Sequence, residues 1–145
     1  MRNNMDIRFK KAAAGNAYDI ATLAAKMWTS HTVEDLAEGF AAAINDPDGA
    51  VFLMTDSDKA VGFAQCGLRH DYMEGTHGSP VGYLEGIFVE ESYRKQGCAK
   101  QLLDCCEQWA KKKACTEFAS DCERQFHLGS GFREANRIIC FVKKI

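Results

Sequence analysis

Gly86-Ile87-Phe88-Val89-Glu90-Glu91-Ser92-Tyr93-Arg94-Lys95-Gln96-Gly97-Cys98-Ala99 reads as a buried strand that runs into a turn and opens a helix. The turn is Arg94-x-x-Gly97-x-Ala99. Small residues at 97 and 99 let backbone approach a ligand closely, and the unpaired N–H groups of a helix start point at whatever lies there. Phosphate oxygens satisfy such groups well. Ordinary chain punctuation also produces short turns with Gly, Ala and one Arg, so the surrounding sequence decides what this one means.

Upstream, Val81 to Val89 (VGYLEGIFV) is the most apolar run of the chain and is expected to be the central strand. Downstream, Cys98 to Lys112 is periodic, with Ala99, Leu102, Leu103, Cys106, Trp109 and Ala110 on one side and Lys111-Lys112-Lys113 at the end that suits cations. Thr116 to Ser120 then reads as a strand. A long helix between two strands predicts a parallel, right-handed β-α-β unit, with a ligand crevice beyond the carboxyl ends of the strands.

Before this unit, Ile7 to Lys11 reads as a first strand. Asn16-x-x-Asp19 is expected to cap a helix carrying Ala17, Ile20, Ala21, Ala24, Met27 and Trp28 inward. Thr32-x-x-Asp35 repeats the capping pattern for a second helix with Val33, Leu36, Phe40, Ala41 and Ile44 as its stripe, and Asp46-Pro47-Asp48-Gly49 ends it. Ala50 to Thr55 and Ala60 to Arg69 predict a hairpin around Asp56-Ser57-Asp58-Lys59. His70 to Pro80 is a polar excursion. Gly131 to Asn136 and Arg137 to Lys143 predict two closing β segments.

The chain has 145 residues and is 46% hydrophobic, which suits one compact domain over residues 1–145. Eighteen basic against 20 acidic residues give a net charge of −2, which offers no footprint for nucleic acid and suits a cationic small molecule better. No run approaches the roughly 20 apolar residues of a membrane span. Met1-Arg2-Asn3-Asn4-Met5-Asp6 lacks a secretory apolar region, so a cytoplasmic protein without membrane attachment is expected. Seven cysteines, at 66, 98, 105, 106, 115, 122 and 140, form no Cys-x-x-Cys pair. They read as small core residues rather than as a disulfide framework. Cys115, Cys122 and His127 are too irregularly spaced to argue for a metal.

The order β-α-α-β-β-β-α-β-(short α)-β-β, with the Arg94-x-x-Gly97-x-Ala99 turn after the fourth strand, resembles the GNAT N-acetyltransferase superfamily. The resemblance implies an α/β (α+β mixed) fold: a central mixed, mostly antiparallel sheet with splayed parallel central strands and flanking helices. Leu68-Arg69-His70-Asp71-Tyr72-x-x-Gly75, Ser79-Pro80-Val81, Leu84-Glu85-Gly86-Ile87-Phe88-Val89, Ala99-Lys100-Gln101-Leu102, Phe118-Ala119-Ser120-Asp121, Gly131-Phe132 and Trp28 are more specifically similar to aminoglycoside 6′-N-acetyltransferases.

That similarity implies acetyl-CoA as donor, with the N–H groups of Gln96, Gly97, Cys98 and Ala99, together with Arg94, on its pyrophosphate. Phe88 and Lys100 belong to the same cofactor-binding stretch, and Ile87 and Val89 would meet the pantetheine arm through main chain. The aminoglycoside is implied against Trp28, Tyr72, Glu85 and Asp121. Tyr72 and Glu85 serve either their own site or a neighbouring subunit's. A homodimer is implied, with Ile138–Lys143 as a strand available for pairing across subunits.

Chemistry sharpens some of these roles. An amine attacks only when neutral, yet a primary alkylamine titrates at about 10 in water, so a carboxylate must orient and deprotonate it. Glu85 interrupts an apolar strand, where an ionised group is costly unless it faces a cleft or a partner; a salt-bridged strand carboxylate is the competing reading. Asp121 ends the parallel strand and either faces the same crevice or caps the next segment. An N–H near Val89, where the central strand is expected to break from regular pairing, is the candidate donor to the thioester oxyanion. Trp28 is either the last core residue of its helix or a platform for an aminosugar. His31, Glu34, Asp35 and Glu38 either extend an acidic wall or line a solvated helix face.

Two departures from the family stand out. Arg124 to Leu128 contains no Tyr to protonate a leaving thiolate; His127 is either a substitute acid or a structural residue, in which case the CoA thiolate leaves unassisted. Only Cys122 to Gln125 separate Asp121 from Phe126, where the family carries several more residues, so the loop is either short by nature or lacks a segment. Three functions remain in competition at this stage: aminoglycoside 6′-N-acetylation, acetylation of a polyamine or peptide amine, and non-catalytic binding of acyl-CoA or aminoglycoside.

Overall fold

The computed structural model describes residues 6–71, 76–120, 133–134 and 141–145. Strands β1 (Ile7–Lys11), β2 (Gly49–Asp56), β3 (Lys59–Arg69), β4 (Val81–Val89), β5 (Glu117–Ser120), β6 (Arg133–Glu134) and β7 (Phe141–Lys144) form one sheet in the order β1-β2-β3-β4-β5-β7-β6. Strand β4 is its middle member, and β4 with β5 is its parallel pair. The other described pairings are antiparallel. Ser57 and Asp58, at φ 50° and 70°, make the tight turn that closes β2 onto β3, a backbone twist that matches the twist of the flanking strands.

Alternation along β2 shows how the sheet divides the core. Ala50 and Met54 pack with Leu102, Leu103 and Cys106 of α3 (Cys98–Lys112), while Val51 and Leu53 pack on the opposite face. That face carries α1 (Ala17–Ala24) and α2 (Val33–Asn45), through Ile20, Ala21, Ala24 and Phe40. Of the predicted α2 stripe, only Phe40 is fully buried; Val33, Leu36, Ala41 and Ile44 are partly covered. Cys66, Cys98, Cys106 and Cys115 are buried as the composition suggested.

The two helix starts behave differently. Thr32 Oγ1 accepts the Asp35 N–H at 3.1 Å, the expected cap of α2. Asn16 does not cap α1. Its Oδ1 turns back to accept the Ala13 N–H at 2.9 Å and so closes the 3-10 turn Ala14–Asn16 that precedes the helix. Helix α1 also ends at Ala24, earlier than its apolar period suggested; Met27 lies on the turn beyond it and Trp28 directly after that turn.

Candidate active site

Two departures from regular pairing shape the middle of the sheet. Strands β4 and β5 pair only at Gly82 with Phe118 and Tyr83 with Ala119, and Ser120 Oγ adds a last link to the Leu84 carbonyl at 3.4 Å. Directly beyond Ser120 the chain lies outside the described residues. On the β3 side, Gln65 faces Gly86 while Cys66 faces Leu84, so Glu85 is the extra residue of a β-bulge. The bulge reverses which residues face α3: Leu84 does so before it, Ile87 and Val89 after it. Phe88 packs on the α1/α2 face, where Gly86 lies against Trp28.

This corrects the expected position of the irregularity. The break lies at Glu85, whereas Val89 is in register with Gly62 of β3. Val89 still has main-chain groups to offer. The Glu90 N–H donates to the Val61 carbonyl of β3 at 2.9 Å, so by strand alternation Ile87 and Val89 turn theirs to the opposite edge, beyond the described pairing with β5.

A cavity of about 660 Å³ follows that edge, lined by Lys26, Met27, Trp28, Glu85, Gly86, Ile87, Phe88, Val89, Arg94 and Ala99. Its size suits a small-molecule site. At one end lies the turn into α3, where Lys95 (φ 61°) and Gly97 (φ 82°) both take left-handed backbone. Gly97 is the N-cap residue, so no side-chain oxygen occupies the helix start. The first ladder bond runs from Gln101 N–H to the Gly97 carbonyl, and the N–H groups of Cys98, Ala99 and Lys100 precede the ladder. Arg94 Nε donates to the Val89 carbonyl at 2.8 Å and its guanidinium stands 5.6 Å from the Phe88 ring centre. Burial pushes the Cys98 thiol above its ordinary range, which keeps it protonated and a poor nucleophile.

The wall opposite is aromatic and acidic. Trp28 is half-buried, stacked on Phe40 at 6.2 Å and edge-on to Phe63 at 6.3 Å, so it is part of the core and of the cavity lining together. A Cβ at Gly86 would stand 2.7 Å from two of its ring carbons. Glu85 likewise satisfies both readings of its sequence position: it lines the cavity, and its Oε2 accepts from Arg69 Nη2 at 2.7 Å. Lys26 reaches across from the end of α1 to both oxygens of Glu90, at 2.9 and 2.7 Å.

Trp28, Glu85, Ile87, Phe88, Val89, Arg94 and Ala99 are thus gathered around one cavity. Tyr72, Asp121 and His127, and the Cys122–Gln125 loop, lie outside the described residues. His31, Glu34, Asp35 and Glu38 are exposed and do not line the cavity; they form a solvated face. Sequence reasoning missed Arg69, Lys26 and Glu90. Arg69 stood in a quoted block but carried no signal of its partner, because the bulge that turns Glu85 toward it is not written in residue types.

Residues 17–130 match the model of the acetyltransferase (GNAT) family. An aminoglycoside N(6′)-acetyltransferase type 1 from Stenotrophomonas maltophilia is 34% identical over 139 residues, covering 91% of this chain and 90% of the relative. The protein of that name from Salmonella typhimurium strain LT2 is 37% identical over 126 residues, 82% of this chain and 86% of the relative. Among solved structures, AAC(6′)-Iy in complex with the bisubstrate analogue CoA-S-monomethyl-acetylneamine superposes with a TM-score of 0.85 at 31% identity, covering 92% of this chain and 95% of that one. With a bulged acidic residue on the central strand and an uncapped helix start along one cavity, the chain belongs to the GNAT acetyltransferases and, within them, to the aminoglycoside 6′-N-acetyltransferases.

Proposed function

We propose that this protein transfers the acetyl group of acetyl-CoA to the 6′-amine of aminoglycosides by direct attack. The observation that carries the reading is the continuous line from Glu85 along the β4 edge to the helix start at Gly97. The pyrophosphate of CoA lies on the N–H groups of Gln96, Gly97, Cys98 and Ala99, beside Arg94 and near Lys100, where the helix dipole and unladdered donors favour an anion. The pantetheine arm pairs with Ile87 and Val89 as a strand would, alongside Phe88. The aminosugar rests on Trp28, with Glu85 holding its ammonium; the family resemblance adds Asp121 and Tyr72, which lie outside the described residues, as further contacts.

In the reaction the neutral amine nitrogen forms a bond to the thioester carbon, and the Val89 N–H donates to the developing oxyanion, a contact worth about 3 kcal/mol of barrier. The C–S bond then breaks and its electron pair leaves on sulfur. The amine proton passes to solvent. CoA thiolate, with a thiol pKa of about 8.5, needs little help to depart. An acetyl-enzyme intermediate is disfavoured because Cys98, the thiol at the turn, is held protonated.

The 145 residues act as one domain and pair as a homodimer in the cytoplasm, where acetyl-CoA is made and where acetylation removes a cation the drug needs. None of the described helices is long and apolar enough to cross a membrane. The test is release of free CoA thiol from acetyl-CoA on adding kanamycin or tobramycin, with spermidine as the competing acceptor. Turnover with the aminoglycosides and a raised inhibitory concentration in expressing cells are expected. Turnover with spermidine alone, or binding without product, overturns the assignment.

A further inference from the structure

Arg69 is the last residue of β3 and lies in register with Val81, yet its side chain runs back along the sheet to the bulge. Its guanidinium carbon stands 4.3 Å from the centre of the Tyr83 ring, and Nη2 reaches Glu85 Oε2 at 2.7 Å. Gly67 lies beside the same carboxylate oxygen, where an added Cβ would make only ordinary contact at 3.5 Å. Stacking and the ion pair fix the guanidinium beside the carboxylate that lines the cavity.

The arrangement is not the one that stability alone favours. Arg69 Nε is buried and has no hydrogen-bond partner among the described residues, an unsatisfied donor that a purely structural ion pair would avoid. The ion pair is also only partly screened, with side-chain exposures of 41% and 30%. The described cations that line the cavity itself are engaged elsewhere, Lys26 on Glu90 and Arg94 on the Val89 carbonyl, whereas Arg69 meets the cavity through Glu85.

We propose that Arg69 is a positioning residue that shares Glu85 with the acceptor amine and, by its fixed positive charge, lowers the pKa of that amine in the complex. The inference rests on Glu85 holding the acceptor ammonium. A carboxylate alone would bind that ammonium but also stabilise its charge, which holds back the neutral form that attacks. With one oxygen held by a guanidinium, the carboxylate still orients the amine while the nearby cation makes its proton easier to lose. The proton passes to solvent and the nitrogen lone pair becomes available for the thioester carbon. The sequence left two roles for Glu85, binding and deprotonation; Arg69 moves it toward binding and supplies the electrostatic push itself.

The experiment is the pH dependence of kcat with saturating acetyl-CoA and neamine, between about pH 6 and 9.5, for the wild-type protein, Arg69→Met and Arg69→Lys. In Arg69→Met the acidic limb should move up by about one pH unit. The rate should then fall about tenfold near pH 7 and recover toward the wild-type plateau at high pH. Arg69→Lys, which keeps the charge, should retain most of the wild-type limb. A limb that stays in place while kcat falls equally at all pH values overturns the proposal, as does Arg69→Lys behaving like Arg69→Met.

A second measurement holds if Arg69→Met is poorly folded. Calorimetry of neamine binding to the CoA-bound enzyme, in two buffers of different ionisation enthalpy, counts protons released. The wild-type protein and Arg69→Lys should release alike, and both more than Arg69→Gln, which lacks the charge, with equal release by all three contradicting the proposal. Absence of turnover by the wild-type protein with any aminoglycoside would instead defeat the assigned function, so the two failures are distinguishable.

Discussion

Gly86 shows how a residue without a side chain can place one that matters. Its missing Cβ lets the Trp28 indole lie directly on β4, because an added carbon would stand 2.7 Å from two ring atoms. The ring is backed by Phe40 and Phe63 and can retreat only toward the cavity. Gly86→Ala should therefore cost about 1–3 kcal/mol of stability, as overpacking does, and raise KM for the aminoglycoside while leaving KM for acetyl-CoA unchanged. Thermal unfolding and steady-state kinetics together check it; equal effects on both KM values would mean that the ring does not shape the acceptor wall. Trp28 was visible in the sequence as a candidate, but its glycine seat was not, since nothing in two distant residue types reports that they touch. Asn16 teaches the complementary lesson: a residue type suited to capping found a nearer backbone donor in Ala13.

At the scale of elements, periodicity made α3 and β4 legible to the residue. Helix α3 runs Cys98–Lys112 because Leu102, Leu103, Cys106, Trp109 and Ala110 repeat on one buried face, and β4 is the apolar run Val81–Val89. What periodicity could not carry is the bulge. Both faces of β4 bury residues, so a one-residue shift in parity at Glu85 leaves the apolar pattern almost unchanged. The turn that launches α3 is the other decisive junction, and there Gly97 is required by its φ of 82° rather than by crowding, since an added Cβ would meet nothing within 4 Å. Gly97→Ala should destabilise the protein by about 1–2 kcal/mol through left-handed strain and raise KM for acetyl-CoA several-fold. At saturating acetyl-CoA kcat should recover. A variant whose KM for acetyl-CoA is unaltered would remove the helix start from the cofactor site.

For the molecule as a whole, Glu117 is the carboxylate that joins distant parts of the chain, and no residue pattern announced it. It begins β5 with only 1% exposure, and its Oε1 accepts the N–H groups of His77 and Gly78 at 2.7 and 2.8 Å, while Lys144 Nζ of β7 stands 3.7 Å from Oε2. Burial pushes its pKa up, but the two backbone donors and then Lys144 outweigh burial and hold it below the usual 4.5. The unfolded chain therefore takes up this proton first as pH falls. Its stabilising contribution is complete above about 4.5 and is lost as pH drops through the lower folded value. Glu117→Gln keeps the shape and one acceptor oxygen but not the charge, so it should weaken the protein at pH 7 by about 1–2 kcal/mol, the difference between charged and neutral hydrogen bonds. At an acid pH below the lowered folded value the wild-type carboxyl is itself neutral, and the gap between the two proteins should narrow. Urea unfolding at both pH values measures it. A gap that is constant with pH would mean that the segment leading into β4 is held by the shape of this side chain and not by its charge.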